Sequence, residues 1–291
     1  MTQHSGALSH ITVLAAFAHP DDEGFSCGGT LAMLADMGAS ITMVCATNGD
    51  VGEISDPSLA TPETLARVRQ EEMRQAALVT GAADVRFLGY RDSGMAGTED
   101  NNHHDSLYQA PPDQVVGRLV AMIREVRPDM IITHDPTGGY GHPDHVTTYA
   151  HVTKAFTLAG DGAIHQPQRG SRDQPWTPGL LYYACFPRSV MRRMWQEMRD
   201  AGVTPPFASQ EVESLGSPDE DVTTVVNVGA YVDTKLASLA CHRTQMDPNG
   251  PFAKLPEELS RQIMSTEYFT FAVAQGVESE DLLANLAVPE G

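Results

Sequence analysis

The stretch Ile11-Thr-Val-Leu-Ala-Ala-Phe-Ala18, running straight into His19-Pro20-Asp21-Asp22-Glu23, decides the fold. A nearly unbroken apolar run without alternation suits a strand buried on both faces, as in a parallel sheet. Residues 30–37 read as a helix closed by Gly38, and 41–46 as a second strand, so the chain opens with a βαβ unit. Thr61-Pro62-Glu63 offers a cap, an N1 proline and an acidic first turn for a helix reaching about Gly81. Residues 85–88 give a third strand. Val115, Val116, Leu119, Ile123 and Val126 recur at helical spacing within 111–126, Pro128 stops that helix, and 130–133 supply a fourth strand. Residues 180–186 and 222–228 read as further strands, 231–242 as a helix, and the Gly- and Pro-rich 160–179 as a long loop. Strands alternating with helices at this spacing predict an α/β, Rossmann-like fold: a mostly parallel sheet with helices on both faces and its site beyond the carboxyl ends of the strands.

With 291 residues, 41% of them apolar and 20% charged, the chain is long enough to bury a sizeable core. No repeat or linker interrupts it, so a single domain over residues 1–291 is expected. The net charge of −19 repels phosphate backbones and anionic lipids, which argues against nucleic acid and membrane partners. Cys27, Cys45, Cys185 and Cys241 stand far apart with no CxxC pair, which fits a reduced compartment. The first basic side chain is Arg67, so no positive region precedes residues 11–18 as in a signal peptide, and no apolar run approaches the ~20 residues of a membrane span. A cytoplasmic protein is expected.

Four ionisable groups in His19-Pro20-Asp21-Asp22-Glu23 at the end of the first strand are hard to bury without a purpose. A second dense cluster, Gly138-Gly139-Tyr140-Gly141-His142-Pro143-Asp144-His145, follows the fourth strand. Pro143 suits a first helical turn, so His142 and His145 lie three apart on one face. Two strand ends thus direct imidazoles and carboxylates into one crevice, and a three-ligand set with an open position suits catalytic zinc. Helix caps and surface charge would account for either cluster alone, but less readily for both. His103 and His104, in the acidic stretch 97–106, read as surface loop in preference to a second metal site.

Gly24-Phe25-Ser26-Cys27-Gly28 matches the G-x-S-x-G elbow of serine hydrolases, so a Ser26 nucleophile is a competing reading. An elbow places its serine directly after a strand, whereas Ser26 lies seven residues beyond His19, past a proline and three acids. No Gly-rich phosphate loop follows the first strand, and no nucleotide is expected.

His19-Pro20-Asp21-Asp22-Glu23 together with His142-Pro143-Asp144-His145 resembles the LmbE-like (PIG-L) zinc-dependent deacetylases. Leu88-Gly-Tyr-Arg-Asp92-Ser-Gly-Met95-Ala-Gly97 and Gly139-Tyr140-Gly141 look like the branch that handles N-acetylglucosaminyl-inositol and mycothiol. The likeness covers about residues 8–160, and 161–291 would complete the fold and the substrate pocket. The resemblance implies that His19, Asp22 and His145 bind zinc and that Asp21 is the general base. It further implies that Tyr140 and His142 stabilise the oxyanion. Asp144 would orient His142 and keep it protonated. Arg69, in the pair Arg69 and Glu72, and Asp92 resemble sugar-hydroxyl contacts, with a surface ion pair as the plainer account of Arg69. Glu23 would support the turn.

Amidases of this branch, which cleave glucosaminyl thiol S-conjugates, typically carry lysine where this chain has Ser26, which favours the deacetylase. His242-Arg-Thr-Gln245 resembles a carboxyl-terminal segment of those amidases and keeps that activity as the alternative. A two-His-one-carboxylate set also suits ferrous iron, so Zn2+ is expected and Fe2+ stays open. The implied partner is a small N-acetylglucosaminide, and a homo-oligomer is compatible with the sequence.

Overall fold

The computed structural model describes residues 6–164, 174–206 and 215–275, together with Leu283. One seven-stranded sheet organises them, in the order β3-β2-β1-β4-β5-β7-β6. Strands β1 (Thr12–Phe17), β2 (Ser40–Thr47), β3 (Asp84–Tyr90), β4 (Met130–His134) and β5 (Leu180–Cys185) run parallel. On the far edge, β7 (Thr266–Ala274) runs antiparallel to β5, and β6 (Thr224–Asn227) pairs antiparallel with β7. The mostly parallel Rossmann-like sheet is therefore the architecture observed.

Both faces of the sheet are covered. Val13, Ala15 and Phe17 join one apolar cluster, with Leu31, Leu34, Ile41 and Met43. The alternate residues Leu14 and Ala16 join the other, with Val116, Leu119, Ile123 and Phe156. Helices α1 (Asp22–Asp36) and α2 (Leu65–Thr80) lie with the first face, while α3 (Pro112–Val126) and α5 (Pro143–Leu158) pack together over the second. A short turn, α4 (Gly138–Gly141), precedes α5, and α6 (Arg188–Asp200), α7 (Val232–Leu239) and α8 (Glu257–Met264) complete the order. No described helix is long and apolar enough to cross a membrane.

Two expectations change. Helix α1 begins at Asp22, eight residues before the start read from the sequence, because three glycines hid its first turns. It is broken at Cys27 (φ −149°), and the amides freed by the break, Gly29 and Thr30, donate to Glu267 at 2.8 Å each. A Cβ at Gly29 would stand 2.6 Å from Val228, so only glycine permits this approach. Strand β7 was not anticipated, although Thr-Glu-Tyr-Phe-Thr-Phe-Ala-Val-Ala is β-branched and aromatic throughout. Residues 165–173 of the expected long loop lie outside the described residues.

The chain leaves β1 for β2 on one side, while β4 lies on β1's other side, so the strand order reverses between β1 and β4. A crevice opens at such a switch point beyond the strand ends. The first motif follows β1, and the second follows β4.

Candidate active site

Asp21 adopts φ 115°, a rare conformation for a residue with a side chain, with a cost on the order of 1–3 kcal/mol. Its surroundings hold it there. Its amide donates to Glu23 Oε2 at 3.2 Å, and Arg69 Nη2 lies 3.2 Å from its carboxylate while donating to the Pro20 carbonyl at 2.7 Å. The turn separates the paired acids, leaving Asp21 partly open and Asp22 buried.

Three imidazoles, those of His19, His134 and His145, converge on Asp22. His19 Nδ1 lies 3.1 Å from His145 Nε2, His145 Nε2 3.1 Å from Asp22 Oδ1, and His19 Nδ1 3.4 Å from Asp22 Oδ2. The outer nitrogens fix the tautomers. His145 Nδ1 is 3.0 Å from the Gly138 carbonyl, and His19 Nε2 is 3.2 Å from the Asp144 carboxylate, so each outer nitrogen carries the proton. In their neutral forms both inner nitrogens present lone pairs to a carboxylate. Against burial, Asp92 and then Asp22 raise His19 well above the ordinary histidine value, so the position favours positive charge. Three acceptors facing one another cannot hydrogen-bond among themselves, and a cation satisfies all three. A tetrahedral ion with bonds of ~2.0–2.1 Å spaces its ligand atoms by roughly 3.3 Å, so this set fits zinc.

His134 and His142 are committed differently. His134, at the end of β4, accepts the Ala18 amide on Nε2 at 3.1 Å and stands 3.3 Å from Asp22. Burial, then the neighbouring His145, pushes it down to about 4, keeping it neutral. Its donor atom forms one group able to hold an ion with those of Asp22 and His145, and His142 forms another with His19 and His145. Sequence reasoning passed over His134; its place as the last residue of a strand beside β1 was the available signal. His142 accepts the Asp144 amide on Nδ1 at 3.1 Å, so its ring proton sits on Nε2. Burial, then His19 and His145, pushes it down to about 3.

That arrangement corrects one expectation. The Asp144 carboxylate accepts the Ser93 amide at 2.8 Å and the Ser93 hydroxyl, and faces His19. It does not orient His142 or keep it protonated; the residue's main chain does the orienting, because α5 starts there and its free amides need acceptors. Tyr140 stands half-buried with its ring 5.1 Å from His145. Burial pushes its hydroxyl well above the ordinary value, so it stays a donor. Gly138, at φ 62°, brings its carbonyl to His145, and a Cβ there would lie 2.9 Å from that of His145.

Arg69 is also reassigned. It is 3% exposed, and Nη1 donates to Gly49 at 2.9 Å, so two of its nitrogens serve main-chain carbonyls in place of an exposed sugar subsite. Neither does it pair with Glu72, which accepts the amide and hydroxyl of Thr244. Asp92, 4% exposed, lies 3.6 Å from His19 Nε2 and accepts the Gly94 amide. Ser26 sits inside α1, 8% exposed, and no imidazole hydrogen-bonds to it among the described residues. The strained turn that a nucleophile elbow requires belongs to Asp21 instead, so the serine-hydrolase reading has no geometry behind it. His103, His104 and Asp105 form a separate, mostly exposed group.

Burial raises Asp21 to about 6, with Arg69 opposing. A carboxyl poised there exchanges protons near neutral pH. A buried acceptor cluster that needs a cation, a carboxylate tuned beside it, and a neighbouring phenol define a metal-dependent hydrolase site.

Comparison with known proteins agrees. A profile of the PIG-L family, GlcNAc-PI de-N-acetylase, matches residues 14–156. The 1D-myo-inositol 2-acetamido-2-deoxy-alpha-D-glucopyranoside deacetylase of Thermobispora bispora is 38% identical over 270 residues, covering 89% of this chain and 87% of the relative. The protein of the same name from Geodermatophilus obscurus is 37% identical, with 94% and 97% covered. Among solved structures, N,N'-diacetylchitobiose deacetylase from Pyrococcus horikoshii superposes with a TM-score of 0.63 at 22% identity, covering 90% of this chain and 83% of that one. The 4-carboxy-2-hydroxymuconate hydratase GalB of Pseudomonas putida shares the fold at 0.57 and 18% identity, covering 93% and 99%, so the fold alone does not select the reaction. The chain belongs to the PIG-L family of N-deacetylases.

Proposed function

We propose that the protein is a zinc-dependent hydrolase that removes the N-acetyl group from a small N-acetylglucosaminyl compound, with a glucosaminyl-inositol as the first substrate to try. The observation that carries the reading is the convergence of His19 Nδ1, His145 Nε2 and the Asp22 carboxylate, three acceptors within 3.1–3.4 Å. The curated relatives, deacetylases of an inositol glucosaminide by name, support the substrate class.

In this reading His19, Asp22 and His145 hold the ion. When bound, zinc supplies a Lewis acid for the amide carbonyl and lowers the pKa of a bound water to ~7. Asp21, raised to about 6 by burial, takes a proton from the attacking water and returns it to the departing nitrogen. A single carboxyl can do both, because its protonated form is accessible near neutral pH. Tyr140 and neutral His142, with its proton on Nε2, act as donors to the developing oxyanion, so no imidazolium is required. Arg69 keeps Asp21 in its turn, and Asp144 and Asp92 stand behind His19. The amide C–N bond breaks, the hydroxyl of water joins the acetyl carbon, and the amine leaves with the proton.

The test is release of primary amine from N-acetylglucosaminyl-inositol by zinc-loaded protein, with Asp21→Ala as the blank. Release by the parent and not by the variant supports the reading. With zinc confirmed in the protein, no release moves the assignment to the S-conjugate amidase.

A further inference from the structure

Asp21, Asp22, Tyr140 and His145 line a cavity of about 340 Å3 that continues between residues of the second half of the chain, among them Phe186, Trp195 and Phe252. Glu23 and His242 are not among its walls, and they are 2% and 0% exposed. Neither has a place in the mechanism above. His242 opens the stretch His242-Arg-Thr-Gln245, to which the deacetylase reading gives no task.

Glu23 faces in two directions. Its Oε2 accepts the Asp21 amide at 3.2 Å, and its Oε1 lies 3.4 Å from His242 Nε2. Among the described residues, Glu23 Oε1 and both ring nitrogens of His242 make no hydrogen bond. A buried carboxylate and a buried imidazole without other partners each lose hydration, and their mutual attraction is what offsets that loss. Burial pulls His242 down, but Glu23, and then Asp21, outweigh it and raise the ring above the ordinary histidine value.

The rest of the stretch anchors this contact. The amides of Gln245 and Met246 donate to the His242 carbonyl at 2.9 Å each, closing a turn after α7. The Thr244 amide and hydroxyl donate to Glu72 at 2.9 and 2.6 Å, and its carbonyl accepts the Ser55 amide at 2.9 Å. Glu72 lies one helical turn beyond Arg69 on α2, so the same stretch braces the helix that aims Arg69 at Asp21.

We propose that His242 is a positioning residue for the general base: it holds Glu23, and Glu23 holds the Asp21 amide in the left-handed turn that presents the Asp21 carboxylate. The proposal rests on the reading of Asp21 as the base and adds a residue to it. Enclosed as it is, His242 acts through Glu23 and touches neither substrate nor ion. With its amide released, Asp21 at φ 115° has less to hold it in a strained conformation, and a base displaced by ~1 Å loses much of its effect.

The test measures amine release from N-acetylglucosaminyl-inositol by zinc-loaded His242→Leu and His242→Gln, and follows hydrogen exchange of the Asp21 amide by NMR. His242→Leu should lower kcat about tenfold or more, the weight of one hydrogen bond to a charged group, with KM within about twofold and zinc content unchanged. Exchange of the Asp21 amide should speed up by a similar factor. A glutamine amide reaches the position of Nε2, so His242→Gln should recover most of both losses. In a Glu23→Gln background His242→Leu should change kcat by less than about twofold, because the link is already cut. Should His242→Leu fail to fold, as read by thermal unfolding, His242→Asn repeats the comparison, since its amide stands at the Nδ1 position and leaves Glu23 unpartnered. A rise in KM at constant kcat would make His242 a substrate contact and overturn the proposal. Equal losses in the parent and Glu23→Gln backgrounds, or equal losses in His242→Leu and His242→Gln, would overturn it too. Amine from the parent, with kcat and exchange unchanged in His242→Leu, would sink this inference and spare the deacetylase reading. No amine from the parent, with faster Asp21 exchange in His242→Leu, would do the reverse.

Discussion

Arg69 Nη2 reaches the Asp21 carboxylate at 3.2 Å and the Pro20 carbonyl at 2.7 Å, so one buried guanidinium fixes both the shape of the turn and the charge of its acid. Burial is the larger influence on Asp21 and raises it to about 6, while Arg69 pulls in the opposite direction. The base works deprotonated, so kcat/KM should fall as pH drops through about 6. Arg69→Met removes the opposing charge and should move this acid limb to higher pH. A limb that stays in place or moves down would show that Arg69 does not set the acidity of Asp21.

Metal analysis separates the proposed base from a proposed ligand. Asp21→Asn removes a base and should lower turnover by about 10²–10⁴ while the ion is retained. His145→Ala removes one of the three convergent acceptors and should yield protein that loses its metal on dialysis. An empty Asp21→Asn together with a fully loaded His145→Ala would reverse the assignment of roles.

Asp144 offers a test of the tautomer argument. Because its carboxylate lies 3.2 Å from His19 Nε2, it holds the proton on the outer nitrogen and the lone pair inward. Second partners of this kind typically contribute 10–100-fold to metal affinity. Asp144→Ala should therefore weaken zinc by about that factor in a chelator competition. Unchanged affinity with reduced kcat would instead return Asp144 to the role of orienting His142.

Much of this was legible because the chemistry is local to two strand ends. The buried run 11–18 and the stops at Gly38, Gly81 and Pro128 announce the parallel sheet, and the residues after β1 and β4 meet because those strands are neighbours. Side-chain direction was less legible. Nothing in the order His142-Pro143-Asp144-His145 says that the Asp144 amide serves His142 while its carboxylate serves His19. The R-x-x-E spacing suggested a pair, yet α2 turns Arg69 toward Asp21 and Glu72 toward Thr244, which lies 172 positions later in the chain. Residues 161–291 were expected to complete the substrate pocket, but which of their side chains line the cavity was not legible, because they come from segments far apart in the chain. His134 carried a signal that went unread.

The buried pair Lys235 and Glu267 gives the last prediction, on stability. Glu267 joins strand β7 to both α7, through Lys235, and to the broken end of α1, through the Gly29 and Thr30 amides. Removing one partner of a buried ion pair costs about 3–5 kcal/mol, because the remaining charge stays out of water uncompensated. The two removals are unequal here. Lys235→Met leaves Glu267 with two amide donors, so its cost should fall near the lower figure. Glu267→Gln leaves the Lys235 ammonium without an anion and turns an NH2 group toward amides that need acceptors, so it should cost more. Urea unfolding of the two variants measures the order. Losses below about 1 kcal/mol in both would mean that water reaches the pair after relaxation, and a larger loss in Lys235→Met would mean that the amides do not hold the carboxylate.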